Sequence, residues 1–161
     1  MKTFVILFIS ILLSTICFGQ DLFYIGEKTY PIVSEDTYIT KNEDYEIDVT
    51  IAQKNATILF ILALEVMTPV NIRGKLIIYL NDGSLVSCVD RQIYDQVDDL
   101  STTVYYLTVS EKKRIDDVGI NLIRFSIKCN TCLDSSEEGT FTATRKPYKS
   151  KSYLFDFIEQ H

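Results

Sequence analysis

Apolar and polar residues alternate with a period of two through much of the chain beyond residue 20. Tyr45, Ile47, Val49 and Ile51 interleave with Glu46, Asp48 and Thr50, which predicts a strand with one face on a core and the other in water. Lys54-Asn55-Ala56 interrupts the pattern, and Thr57 to Met67 then runs apolar on both faces. Pattern alone fits a central strand or a buried helix there. The β-branched and aromatic residues, and the polar break so close before, favour a strand packed on both sides. Pro69 stops it, because proline cannot donate to a ladder.

Gly74 to Leu80 reads as the next strand, with Leu76, Ile78 and Leu80 on one face. Asn81-Asp82-Gly83 marks a tight hairpin, since Asp-Gly readily takes positive φ, and Leu85 to Val89 returns as the partner. Val104 to Leu107 is a short aromatic strand. Thr108 with Glu111 three residues on forms a capping box, so a helix of about two and a half turns is expected over Val109 to Asp117. Gly119 stops it. Ile123, Phe125, Ile127 and Cys129 define one face of a strand over Ile120 to Cys129, and Gly139 to Thr144 is a late one. Short pieces at Leu22 to Ile25, Lys28 to Val33 and Thr37 to Thr40 precede all of these. Tyr153, Phe155 and Phe157 alternate after the basic stretch of Arg145, Lys146, Lys149 and Lys151, favouring a final edge strand over a short helix.

Roughly nine short strands and one connecting helix predict a mainly β chain, an antiparallel β-sandwich. Immunoglobulin-like topology is the default on strand number alone, although the tryptophan common in such domains is absent. No repeat or linker divides residues 20–161, so one β-rich domain is expected there.

The first nineteen residues have a different pattern. Lys2 supplies a positive start, Phe4 to Leu13 is apolar apart from Ser10, and a stretch from Ser14 to Gly19 with small residues precedes Gln20. That is the layout of a signal peptide over residues 1–19, and the apolar run is too short to span a bilayer, which takes roughly 20 residues. Cys17 follows Ile16, where a lipoprotein signal would have a small residue. The ending Phe18-Gly19-Gln20 resembles those of exported bacterial envelope proteins, which implies an address: secreted or periplasmic, with no transmembrane segment after cleavage.

The leader also raises the mean hydropathy, +0.09 over the whole chain, so the remainder is ordinary for a soluble domain. With 16 basic and 22 acidic residues the net charge is −6, and loss of Lys2 makes it more negative. A mildly acidic surface argues against nucleic acid, whose phosphates are bound mainly by Lys and Arg.

Candidate chemistry is sparse. The only histidine is His161, at a position where chains usually fray, whereas Ser–His or Cys–His catalysis needs a positioned imidazole. No nucleophile elbow, phosphate loop or dinucleotide fingerprint occurs, and no cofactor is implied. Three cysteines follow the leader: Cys88, Cys129 and Cys132. In an oxidising compartment two of the three are expected to pair, Cys88 with Cys129 or with Cys132, between which the sequence does not choose. The Cys129-Asn130-Thr131-Cys132 motif closes a strand instead of opening a helix, the wrong context for a redox thiolate. A zinc site would need a fourth ligand such as Asp90, Asp134 or His161.

Glu43-Asp44, Asp98-Asp99 and Asp116-Asp117 are candidate carboxylate pairs for calcium or for glycoside hydrolysis, but their setting is that of solvated turns and helix ends. Tyr94, Tyr105 and Tyr106 are candidates for a surface that stacks on sugars or a protein. Asn55-Ala56-Thr57 fits a glycosylation acceptor at a hairpin tip. The expected function is therefore a binding or interaction module without catalysis, its ligand a protein or glycan. A carboxylate-dependent glycan hydrolase and a small Cys-ligated metal-binding protein are the alternatives.

Overall fold

The computed structural model describes residues 21–66, 70–129 and 138–146. These form a mainly β, antiparallel structure with one short helix. The strands are β1 (Leu22–Ile25), β2 (Lys28–Thr40), β3 (Glu46–Lys54), β4 (Thr57–Glu65), β5 (Val70–Leu80), β6 (Leu85–Cys88), β7 (Tyr94–Val97), β8 (Leu100–Leu107), β9 (Ile120–Cys129) and β10 (Gly139–Arg145), with the helix α1 (Val109–Val118) between β8 and β9. Hydrogen bonding runs continuously in the order β6-β5-β9-β10-β2-β3-β4-β8-β7, with β1 attached to β2. Among the described residues the strands therefore belong to one continuous, curled sheet; the mainly β architecture with one short helix is as expected, and this strand order does not confirm an immunoglobulin-like topology.

The curl encloses the main core. Ile58, Phe60, Leu62 and Leu64 of β4 meet Ile72, Leu76 and Ile78 of β5 and Ile123, Phe125 and Ile127 of β9 there. The opposite face of β4, through Leu59 and Ile61, joins a second cluster with Tyr30, Ala52 and Val104. The two-sided apolar run at Thr57–Glu65 is thus a central strand covered on both faces. Each such side chain contributes about 1.5–3 kcal/mol on burial, which makes β4 the spine of the fold.

Two features of the sheet shape its outer face and its closure. The first is a register shift in β2 between Ile32 and Ser34. One extra residue, Val33, reverses which face the side chains take. Tyr38 accordingly points into the main core, while Tyr30 and Ile32 join the second cluster, with Phe23 and Ile25 of β1 packed beside them. The β1–β2 hairpin becomes a flap over the outer face of β4 and β8.

The second feature is the seam where β5 comes up against β8. β6 covers the free edge of β5 only from Leu76 to Tyr79. Below that, side chains satisfy the backbone: Thr103 Oγ1 donates to Ile72 O at 2.9 Å, Tyr105 Oη to Gly74 O at 3.1 Å, and Gly74 N to Asp90 Oδ2 at 2.7 Å. Ser101 Oγ reaches Asn71 Oδ1 at 3.3 Å. Edge groups left without a ladder are costly when buried, and these hydroxyls and the Asp90 carboxylate replace it.

α1 begins with the expected capping box at Thr108 and Glu111 and ends before Gly119. Its Ile115 enters the main core, and Asn81 in the β5–β6 turn donates from Nδ2 to Val118 O at 2.9 Å. Several strand bounds differ from the expectation. Lys28–Thr40 is one bulged strand where two were expected. β5 starts at Val70 instead of Gly74, β8 starts at Leu100 instead of Val104, and β7 was not anticipated. The expected strand around Tyr153, Phe155 and Phe157 lies outside the described residues. Among the described residues no helix is long and apolar enough to cross a membrane.

Candidate binding groove

The flap does not cover the whole outer face. Between it and β7 lies a groove of about 330 Å³, walled by Phe23, Tyr24 and Ile25 on one side and by Val97, Leu100 and Val104 among those on the other. Alternation sets this lining: Leu100, Thr102 and Val104 are the outward residues of β8, and Asp95 and Val97 lie opposite Thr102 and Leu100 on β7. The rim is apolar and wet, with Tyr24 62 %, Val97 61 % and Leu100 45 % exposed. An apolar groove rimmed by exposed large side chains is the usual form of an interaction site. The one carboxylate in its lining is Asp95.

The three candidate tyrosines do not share a surface. Tyr105 is fully buried in the main core, where burial raises its phenol well above the ordinary value. Tyr94 lies 3.6 Å from the Arg73 guanidinium, measured to the ring centre. Tyr106 packs against the second cluster under Arg91, at 4.7 Å. Both of these rings already carry a cation on one face, and of the three tyrosines only Tyr94 borders the groove.

Cys88 is a buried free thiol facing the main core, and burial, with the Glu111 carboxylate nearby, pushes it up to about 12. Cys129 is disulfide-bonded. The register explains why these two do not pair: Cys88 lies opposite Leu76 and Cys129 opposite Val70. Six residues along β5 is about 20 Å at 3.3 Å each, far beyond the roughly 4.4–6.8 Å that a disulfide spans between Cα atoms. Cys132, Asp134 and His161 lie outside the described residues.

The carboxylate pairs are dispersed. Asp116 and Asp117 are held by Lys112 and Lys113 one turn earlier, at 2.6 Å each. Asp98 and Asp99 form the exposed β7–β8 turn, and Glu43-Asp44 lies in the β2–β3 turn. Asp90 is occupied with Gly74 N and Gln92 N. Among the described residues no three of His, Cys, Asp and Glu are grouped to hold a metal. Asn55 is exposed at the β3–β4 hairpin tip, as expected.

Sequence reading missed the groove, because its walls come from three separated stretches, 23–26, 93–97 and 100–104. The available signal was a surplus of large apolar residues at outward positions, notably Val97 and Leu100. Comparison with protein families, curated proteins and solved structures finds no match for this chain.

Proposed function

We propose that the chain is exported, secreted or periplasmic, loses residues 1–19, and works as a single β-rich interaction module without catalysis. The observation that carries this reading is the groove between the flap and β7. Its walls supply apolar surface and one carboxylate, a composition that suits an extended apolar stretch of protein better than a glycan, which needs many polar partners. The engagement of Asp116 and Asp117 by lysines one turn earlier supports a role in binding over hydrolysis. Cys129 with Cys132 is the disulfide that fits an oxidising compartment once Cys88 is out of reach.

An array of extended peptides, apolar and aromatic against polar controls, tests the reading on the exported chain. Apolar peptides are retained, and Leu100→Asp lowers their retention at least tenfold, a change of about 1.4 kcal/mol, without moving the circular dichroism spectrum. Equal retention of polar peptides, or none changed by Leu100→Asp, refutes it.

A further inference from the structure

We infer, resting on the groove as a binding site, that its occupant is held by backbone pairing along the free edge of β7. That occupant is an extended segment of another protein in which apolar and polar residues alternate, with a lysine or arginine placed to meet Asp95.

β7 ends the strand order, and among the described residues it pairs only with β8. The register fixes which of its backbone groups turn outward. Val104 N donates to Ile93 O at 2.9 Å, and antiparallel pairs alternate between bonded and unbonded. Ile93, Asp95 and Val97 therefore direct their N–H and C=O groups at β8, while Tyr94 and Gln96 direct theirs away from it. Gln96 N agrees with this phase, because it donates to Asp95 Oδ1 at 2.9 Å instead of to β8. A strand laid along the edge meets the N–H and C=O of Tyr94 and the C=O of Gln96, which is the geometry of strand addition. The Gln96 N–H joins them once the Asp95 carboxylate lets go.

The groove lies on the matching face. Ile93, Asp95 and Val97 line it from β7 and the residue before it, with Leu100, Thr102 and Val104 beside them on β8. Alternate side chains of an added strand stand on that same face, where apolar ones cover the exposed Val97 and Leu100.

Charge then selects the segment. Asp95, Asp98 and Asp99 crowd the edge and its turn, and among the described residues none of them is in an ion pair. Arg73 and Arg91 are instead stacked on Tyr94 and Tyr106. By accepting from Gln96 N, Asp95 closes one rung of the ladder. A neutral strand that takes this N–H returns the carboxylate to water, whereas a lysine or arginine on the strand takes it in a charge-assisted bond.

The probe is a terminally blocked peptide of about seven residues, a usual strand length, alternating phenylalanine with threonine and carrying one lysine. Its affinity for the exported chain is read by fluorescence anisotropy in three forms: unmodified, and N-methylated on one or the other alternate set of amides. One methylated form is expected to lose about tenfold and the other to stay close to the parent, because only alternate amides face β7. The lysine peptide is expected to bind about threefold tighter than its glutamine counterpart, an advantage that disappears in Asp95→Ala. Equal binding of the two methylated forms overturns strand addition, and leaves the groove itself standing if Leu100→Asp still weakens the unmodified peptide. A lysine advantage that survives Asp95→Ala overturns the part given to Asp95. If the chain dimerises in sedimentation and the peptide dissociates the dimer, the edge belongs to a second copy and the inference falls.

Discussion

Replacing Thr103 by valine isolates the seam between β5 and β8. The two side chains have nearly the same shape, so the substitution deletes one hydroxyl and leaves Ile72 O without the 2.9 Å bond it accepts. Thr103 is fully buried, Ile72 likewise, and β6 does not extend that far along β5. A buried acceptor left unsatisfied costs about 1–3 kcal/mol, which for a chain of this size lowers Tm by roughly 3–10 °C. Equilibrium urea unfolding measures it, with Thr142→Val on the exposed face of β10 as a control expected within about 0.5 kcal/mol of the parent. Amide exchange adds a local readout, because the seam should open before the rest of the sheet and expose Ile72 and Gly74 first. If Thr103→Val unfolds within about 0.5 kcal/mol of the parent at an unchanged denaturant slope, the edge of β5 is solvated and the claim that hydroxyls replace the ladder is wrong.

Three other perturbations have defined outcomes. Burial raises the Cys88 thiol from 9.0 to about 12 and the Tyr38 phenol from 10.0 to about 12. The unfolded chain therefore releases these protons first, and stability is full below pH 9 and falls between about pH 9 and 12; Tyr38→Phe flattens the upper part of that decline, read by urea unfolding at stepped pH. Cys88 resists iodoacetamide in the native protein and is alkylated only on unfolding, which intact mass reads directly; native alkylation would show that its face of β6 is open. Gly119→Ala destabilises by about 1–3 kcal/mol, because φ is +81° and the added Cβ meets Asn81 Nδ2 at 2.8 Å; an unchanged Tm would mean that the β5–β6 turn shifts aside.

The sequence is most readable where one face is apolar and the other polar without interruption. β3 and β9 carry that alternation, and their inward residues, Ile47, Val49, Ile123 and Phe125, are the ones buried. Thr108 and Glu111 likewise specify the helix start through local chemistry alone. Legibility fails where tertiary structure overrides the pattern. Ser101 and Thr103 are polar at inward positions of β8, which hid the first half of that strand; their partners lie on β5, distant in sequence. Val33 shifts the phase of β2, so one strand looks like two separated by Ser34-Glu35-Asp36. β7 has no buried residue, and only its pairing with β8 makes it a strand. The groove is least legible, since no single stretch among its walls looks unusual.

The bulge and the groove are connected. Were β2 regular through Val33, with no register shift, Tyr30 and Ile32 would point with Tyr38 toward the main core, and the outer face of β4 would stay bare. The slip instead turns the start of β2 outward and lays a hairpin across Leu59 and Ile61. β1 has only four residues, enough to cover β4 and too short to reach β7, so the cover stops at Val104 and leaves Val97 and Leu100 in water. The edge of β7 beside this gap carries Asp95, with Asp98 and Asp99 in the adjoining turn, a placement of charge that discourages edge-to-edge pairing between copies. Apolar surface retained next to an edge defended by charge is what a site for a selected segment requires. The acids oppose indiscriminate strand addition, and the apolar walls reward a chain that brings aromatic residues to the right place.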